Sequence, residues 1–314
     1  MIKRIALALG LTLALSGPVT GQPAPSAPFT IAETGQGFTS LADAVAAIGD
    51  GQGTIRIAPG RYRQCAVQEA GQIAFVAAEP GTVTFDGEMC EGKAALVLRG
   101  RSARVEGLIF TNMRVPDGNG AGIRIEQGDL AVSETLFVDG QCGILSANDP
   151  NSRITIDRST FSGLGRHPDG NGAHALYIGE YGSLRVTNTR FERGTGGHYL
   201  KSRAPRIEVL DSSFDDSQGR DTNYMIDLSN GASGRIAGNI FVQGTGKENY
   251  STLIAVSPEE REHSVANLVI DNNTASLAPG FRWTTSFVGN WSGQRLQLGA
   301  NNRLAQGIRL QEAH

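Results

Sequence analysis

The chain has 314 residues, of which 41 are glycine, roughly twice the usual proportion. It contains 39% hydrophobic and 19% charged residues and carries a formal net charge of −3, which disfavours both a largely disordered chain and a nucleic-acid-binding protein. Glycine does not recur at every third position, which excludes collagen.

The N-terminus has the pattern of a secretory signal peptide. The basic residues Lys3 and Arg4 precede an apolar run over residues 5–15, and small residues continue to Gly21. We therefore predict a signal peptide over residues 1–21, a periplasmic or secreted protein and no membrane span; a buried N-terminal helix is the alternative. The proline-rich stretch that follows predicts a linker over residues 22–34.

The next segment predicts an amphipathic helix that covers the start of the fold. Leu41, Val45 and Ile48 fall on one helical face behind the capping residues Thr39 and Ser40. This helix and the following Gly-Thr-Ile-Arg-Ile-Ala-Pro-Gly-Arg-Tyr sequence, residues 53–62, resemble the N-terminal part of the pectin-lyase-like superfamily. The resemblance extends over residues 35–305 and implies an all-β, right-handed parallel β-helix. That superfamily contains polysaccharide lyases, uronate epimerases and pectin-degrading hydrolases.

An internal repeat independently predicts this solenoid. A short segment that ends in Phe recurs at intervals of 23 to 30 residues, with its last residue at Phe110, Phe137, Phe161, Phe191, Phe214 and Phe241. A seventh copy, residues 269–274, has Thr274 in place of Phe. Each unit also contains a second short apolar strand, and the period without intervening helices predicts a parallel β-helix over residues 35–307, followed by a tail over 308–314.

The glycine excess is explained by the turns of such a solenoid. The glycines predicted to lie at coil corners are Gly107, Gly122, Gly143, Gly182, Gly231 and Gly244. Cys65 and Cys90 are separated by about one repeat and could form a disulfide between neighbouring coils, or remain as two buried thiols.

Equivalent strands of a parallel β-helix stack in register, so alignment of the second strands predicts columns of side chains. The outward column reads Arg124, Leu145, Tyr177, Lys201, Asp227 and Ala255. Two positions further on lies Arg203, and just before the strands lie His174, His198 and Tyr224. This concentration of titratable groups predicts a functional site, although an ordinary solvated face with a cross-strand ion pair is the alternative.

Loops beside these strands supply further candidates. The longest repeat inserts residues 165–172 directly before His174, and from it we predict that His167 and Asn171 contact a ligand. His174, Tyr199, Tyr224 and Asp227 are predicted to bind substrate as well. No cofactor is expected, although Asp169, Asn171 and Glu180 could bind Ca²⁺. The segment Gly197–Arg203 also resembles secreted bacterial β-helix proteins.

The chemistry of the column favours an acidic polysaccharide as the partner of a monomeric protein. Lys201 and Arg203 could neutralise a uronate carboxylate while His198 or Tyr177 acts as base or acid, which gives β-elimination or C5 epimerisation, with a lyase favoured. Two alternatives remain open. One is a non-catalytic polysaccharide-binding or surface protein, and the other is a glycoside hydrolase that uses carboxylates from Asp215, Asp216, Asp221 and Asp227.

Overall fold

The computed structural model describes residues 27–165 and 173–314. Within these ranges the chain forms strands β1 to β32 and the helix α1, numbered here in chain order. The strands are short because each ends at a turn, and they assemble into three sheets that run the length of the molecule. In the described part of the chain, no helix has the length and apolar character needed to cross a membrane.

Sheet A has twelve strands, and from β3 onward every pairing is parallel. Its strands are β1 (Phe29–Ile31), β2 (Gly37–Phe38), β3 (Gln52–Ile57), β6 (Gln72–Ala77), β9 (Ser102–Glu106), β12 (Asp129–Ser133), β15 (Asp149–Asp157), β18 (Tyr181–Thr187), β21 (Arg206–Leu210), β24 (Ser233–Ala237), β27 (Leu268–Asp271) and β30 (Gln297–Leu298). Alternate residues point inward, so each strand buries one side of its pleat.

Sheet B contains the repeated Phe residues. Its strands are β4 (Gly60–Tyr62), β7 (Val83–Asp86), β10 (Leu108–Thr111), β13 (Leu136–Val138), β16 (Thr160–Ser162), β19 (Arg190–Glu192), β22 (Ser213–Asp215), β25 (Ile240–Gln243), β28 (Thr274–Leu277) and β31 (Arg303–Leu304). Rings from Phe85 to Phe241 stack inside the solenoid with centroids 4.7 to 5.6 Å apart. In the next coil Ala275, not Thr274, pairs with Phe241, so the predicted seventh copy is shifted by one residue.

Sheet C carries the predicted column of outward side chains. Its strands are β5 (Ala66–Gln68), β8 (Ala94–Leu98), β11 (Ala121–Ile125), β14 (Cys142–Ser146), β17 (Leu176–Ile178), β20 (Leu200–Ser202), β23 (Ile226–Leu228), β26 (Thr252–Val256), β29 (Thr285–Asn290) and β32 (Ile308–Ala313). They pair in parallel in the order of the coils. A parallel β-helix is therefore observed, as the repeat predicted, and it has three sheets.

The helix α1 (Leu41–Ile48) covers the first coil, as predicted. The side chain of Ser40 accepts a hydrogen bond from the backbone N–H of Asp43, which satisfies one of the free donors at the helix start. Leu41, Ala44 and Val45 are buried against the core. The helix thus shields apolar side chains that the first coil would otherwise expose.

The solenoid extends beyond the predicted range 35–307 at both ends. β1 lies in the predicted linker but pairs antiparallel with β3, and β32 lies in the predicted tail but pairs with β29. Both strands satisfy backbone groups at sheet edges. Cys65 and Cys90 form a disulfide, whereas Cys142 is a buried free thiol whose pKa is raised by burial to about 12.

Candidate functional site

Tyr177, Lys201 and Asp227 lie side by side on three successive strands of sheet C. Tyr177 of β17 pairs with Lys201 of β20, which pairs with Asp227 of β23. Adjacent parallel strands are about 4.8 Å apart, so these three side chains form one continuous group on the outer face. The predicted register is confirmed.

Lys201 and Asp227 are almost completely buried, although their positions face outward. The Nζ atom of Lys201 lies 3.3 Å from Oδ2 of Asp227, and their side chains are only 8% and 2% exposed. Ser229 donates a hydrogen bond to the other carboxylate oxygen of Asp227 at 3.2 Å. Burial raises the pKa of Asp227 despite the opposing charge of Lys201. The pair is therefore a desolvated part of the site and not a solvated cross-strand ion pair.

A second carboxylate, that of Glu259, joins Lys201 to Arg203. One oxygen of Glu259 accepts from Lys201 Nζ and the other accepts from a terminal nitrogen of Arg203. Burial alone would raise the pKa of Glu259, but its hydrogen bonds to the two cations and their charges lower it. Glu259 is not among the site residues predicted from the sequence. The signal was an acidic run after β26, within residues 258–262, one coil beyond Asp227.

Arg203 connects this ion network to Tyr177. Its Nε donates to the hydroxyl of Tyr177 at 3.0 Å, and a terminal nitrogen donates to Oδ1 of Asn230 at 2.6 Å. Burial would lower the pKa of Arg203, but the hydrogen bonds with Tyr177 and Glu259 raise it. A permanently charged guanidinium is therefore held against a partly exposed phenol.

The hydrogen bonds around His174 and His198 determine which ring nitrogens carry hydrogen. The backbone N–H of His198 donates to Nδ1 of His174 at 3.1 Å, so this Nδ1 is unprotonated. The Nδ1 atoms of the two rings are also 3.1 Å apart, and a hydrogen bond there requires the hydrogen to be on His198. Neutral His198 then has an unprotonated Nε2, 3.3 Å from Oδ2 of Asp227.

Both imidazoles are held neutral near physiological pH. Burial, with the charge of Lys201, lowers the pKa of His174 to about 3. Burial also lowers the pKa of His198 well below its usual value, assisted by His174 and Lys201. Neutral His198 therefore directs the lone pair of Nε2 toward Asp227, a carboxylate whose pKa burial raises.

Aromatic rings border the other side of the histidines. The ring of Tyr224 lies 5.5 Å from that of His198 and 6.1 Å from that of Trp291. Trp291 in turn stacks on His314 with centroids 3.9 Å apart. Tyr224 thus lies beside the site, as its predicted substrate-binding role requires, and Trp291 and His314 extend the aromatic border.

Comparison with known proteins agrees with the architecture. Residues 94–291 match the family described as the right-handed β-helix region. The chain belongs to this β-helix family. Its fold class is therefore that of the superfamily it resembles, a right-handed parallel β-helix. No curated protein matches the chain.

Two solved structures similar to this β-helix chain are of pectin methylesterase from Aspergillus niger. The deglycosylated form has 11% sequence identity and a TM-score of 0.45, with 88% of this chain and 91% of that chain covered. The penultimately deglycosylated form has 10% identity, the same TM-score and the same coverage. Such distant likeness bears on neither the substrate nor the reaction.

Tyr199 does not belong to the outer face of the β-helix, contrary to its predicted contact with substrate. It is 2% exposed, and its hydroxyl donates to Oδ1 of Asp216 at 2.7 Å. Asp216 also binds the buried ammonium of Lys247 at 3.2 Å. Tyr199 follows His198 in a turn, where side chains do not obey the alternation of a strand, so its ring enters the interior.

The predicted contacts of His167 and Asn171 lie outside the described residues, as do two of the three predicted Ca²⁺ ligands. The third, Glu180, is exposed, and its backbone N–H donates to Oδ1 of Asn148 at 3.0 Å. Among residues 27–165 and 173–314, no group of three or more His, Cys, Asp or Glu side chains is arranged to bind a metal ion.

Proposed function

We propose that this β-helix protein acts on a uronate-containing polysaccharide by β-elimination or C5 epimerisation. The observation that carries the proposal is the contact of the Arg203 guanidinium with both Tyr177 and Glu259, beside Lys201. Two cations and a phenol on one rigid face match the requirements of both reactions. A cation stabilises the carboxylate as C5 loses its proton, and a nearby group must transfer that proton.

Glu259 identifies the position that a substrate carboxylate would take. Its two oxygens bind Lys201 and Arg203 in the way expected for an acidic sugar. The Glu259 side chain is 39% exposed and lies in the turn after β26, so it can leave this position without disturbing the strands. The carboxylate of a uronate would therefore bind to Lys201 and Arg203 by displacing that of Glu259.

Tyr177 is the better of the two predicted acid or base groups. Both ring nitrogens of His198 are occupied, by His174 and by Asp227, and its side chain is only 11% exposed. The side chain of Tyr177 is partly exposed, and its hydroxyl accepts a hydrogen bond from the Arg203 guanidinium. We therefore assign proton transfer to Tyr177, with Lys201 and Arg203 as carboxylate ligands.

In this scheme His198 and His174 are positioning residues. They connect Tyr224 to Asp227 through ring contacts and hydrogen bonds, and Asp227 orients Lys201.

In β-elimination, Tyr177 removes the C5 proton, a C4–C5 double bond forms, and the C4–O bond breaks, with its electron pair going to the leaving oxygen. That oxygen then takes up the proton from Tyr177. In epimerisation, water supplies a proton to the opposite face of C5, Tyr177 returns its proton to solvent, and no bond to oxygen breaks.

The test is incubation of purified protein with alginate, pectate and glycosaminoglycans in parallel. Ultraviolet absorbance of the conjugated double bond indicates elimination, and hydrogen exchange from D₂O into C5 without cleavage indicates epimerisation. Either activity should be lost in Lys201→Ala and retained in Arg185→Ala, a control on sheet A. Binding without any product would support the non-catalytic alternative and overturn the enzymatic proposal.

Glycoside hydrolysis is the second candidate, because Asp227 and Glu259 form a carboxylate pair around Lys201. The pKa of Asp227 is raised and that of Glu259 is lowered, a division typical of acid and base. However, Asp227 is 1% exposed and does not meet a ligand on this face. The predicted hydrolytic residue Asp216 is buried with Lys247, and hydrolysis would be revealed by reducing ends without a double bond.

A further inference from the structure

The outer face of sheet C is closed on the side of Asp227 that points away from Tyr177. Ala255 and Gly289 follow Asp227 in the outward column, on the next two strands. Both are buried, and Ala255 is 0% exposed, although residues of this column face away from the core. A ligand that lies along the column therefore cannot continue past Asp227.

The ring of Trp291 covers these positions. A Cβ atom on Gly289 would come 2.5 Å from this ring, so the indole lies directly against the outer side of β29, and only glycine leaves room for it. The ring of His314 stacks on Trp291 with centroids 3.9 Å apart, and the ring of Tyr224 lies 6.1 Å from it toward Asp227. These three rings form an aromatic wall across the outer face.

The opposite side of the site is open. Beyond Tyr177 the outer face continues into a depression of about 430 Å³. Its lining includes both Lys93 and Asp117, a mixture of charges that does not select a carboxylate. A polysaccharide bound at Lys201 can therefore leave the site past Tyr177 but not past the aromatic wall.

From this asymmetry we infer that the protein acts at the ends of its polysaccharide and not within the chain, and that Trp291 determines this selectivity. The inference rests on the proposed function, because it takes Lys201 and Arg203 as ligands of the reacting sugar's carboxylate. Asp227 lies one strand beyond Lys201, about 4.8 Å along the axis, which is about the length of one sugar ring. The wall therefore stops the chain within about one sugar of the reacting unit.

The experiment follows the products formed from hexasaccharides of galacturonate and of mannuronate, by mass spectrometry at early times. Elimination at a chain end should release a mono- or disaccharide and leave the complementary penta- or tetrasaccharide, without trisaccharide. If the reaction is epimerisation, deuterium from D₂O should enter terminal units and not the central ones. Cleavage or exchange within the chain would produce trisaccharide or label the central units.

Two tryptophan variants test the wall itself. Trp291→Ala removes the ring that covers Gly289, so trisaccharide or central deuterium should appear among its products. Trp283→Ala removes a ring that is 41% exposed in the turn before β29 and is the matched control, with products like those of the wild-type protein. Melting temperatures establish that both variants are folded, and the wild-type products test the inference even if Trp291→Ala does not fold.

The outcomes separate chain-end action from the proposed function. Early trisaccharide or central deuterium from the wild-type protein would show that the chain passes the wall or crosses the strands, which overturns the inference and leaves the proposed function standing. A folded Trp291→Ala variant with only wild-type products would overturn the role of Trp291. If neither hexasaccharide reacts, the inference is overturned, and the proposed function falls with it only if the polymers also give no product.

Discussion

The hydroxyl of Tyr177 accepts a hydrogen bond from Nε of Arg203 at 3.0 Å, across two neighbouring coils. The same guanidinium binds Glu259, so the phenol is attached to the ion network without being buried in it. This contact joins the group proposed to move a proton to a group proposed to hold the carboxylate. Removal of the hydroxyl should therefore affect the reaction more than binding.

For Tyr177→Phe we expect a decrease in kcat of about a hundredfold or more with little change in KM, because proton transfer is lost while both cations remain. Elimination or C5 exchange measured over a range of substrate concentrations checks this. Tyr250→Phe, at an exposed ring on a loop, is the control. Equal activities of the two variants would show that another group transfers the proton.

Glu259→Gln should increase the affinity for acidic polysaccharide. The Glu259 carboxylate competes for Lys201 and Arg203, and its neutral replacement competes less. We expect binding to tighten about fivefold, equivalent to roughly 1 kcal/mol for a partly exposed ion pair. Titration at two salt concentrations measures the effect, which should shrink as salt rises.

The neighbouring Glu260→Gln provides the control for that change. Glu260 is exposed in the same turn, and its backbone N–H donates to the carbonyl oxygen of Ser229. Its substitution changes net charge equally but leaves Lys201 and Arg203 paired. Equal tightening in both variants would indicate long-range attraction, and weaker binding in Glu259→Gln would mean that Glu259 orients the cations for substrate.

The columns of sheet C could be predicted because strands obey a two-residue alternation and parallel coils keep their register. Once Ile144, Leu176 and Leu200 were aligned as inward residues, the neighbours Tyr177 and Lys201 followed. The sequence pattern therefore predicted which residues lie on the outer face. It did not predict how far these residues are buried, because the carboxylate of Glu259 and the ring of Trp291 come from other coils and turns.

The residues just before the strands could be placed only in part. The rings of His174, His198 and Tyr224 lie next to one another, as their alignment predicted. The side chain of Tyr199, adjacent to His198, instead turns inward to Asp216, because alternation does not extend into the turn. Glu259 illustrates the same difficulty, since its distance from β26 is set by the turn and not by the strand.

The high glycine content of the chain has two different physical causes. Gly107 has a φ of 72° at a corner, as predicted. Gly143 instead lies within β14, where a Cβ atom would come 2.6 Å from the Phe161 ring. Its role is therefore space for the aromatic stack and not a turn. Gly122 of β11 similarly faces the rings of Phe110 and Phe137.

Stability should decrease with acidification because His174 is held neutral. Its pKa is about 3 in the fold against 6.5 when solvated, so below about 6.5 the unfolded chain binds a proton that the folded chain does not. Each pH unit between about 6 and 4 should cost up to about 1.4 kcal/mol for this residue. Denaturant unfolding at several pH values measures the free energy of unfolding, which should change less per pH unit in His174→Gln than in the wild-type protein.

The wild-type protein and His174→Gln are compared because the difference between their pH dependences of unfolding free energy isolates His174 from the other groups that titrate in this range. His198 contributes with the same sign, whereas Asp227, with a raised pKa, stabilises the fold at low pH and loses that contribution as pH rises. Both remain in His174→Gln, and Gln can still accept from the backbone of His198. Identical slopes for the variant and the wild-type protein would contradict a neutral His174.

The Asp216–Lys247 ion pair fixes the turns that carry His198 and Tyr224. Both side chains are completely buried, and Lys247 also donates to the carbonyl oxygen of Asn223 at 2.6 Å. Burial lowers the pKa of Lys247, although Asp216 opposes this shift. The network thus holds the backbone directly before Tyr224.

Lys247→Met should therefore destabilise the protein by about 3–5 kcal/mol, because it leaves the Asp216 charge buried and unpaired. Addition of Asp216→Asn should restore part of that loss, since the remaining amide carries no charge. Arg185→Met breaks the exposed pair with Glu208 and should cost no more than about 1 kcal/mol. Denaturant unfolding measures all three variants, and a loss in Lys247→Met as small as that in Arg185→Met would contradict the stabilising role of the buried pair.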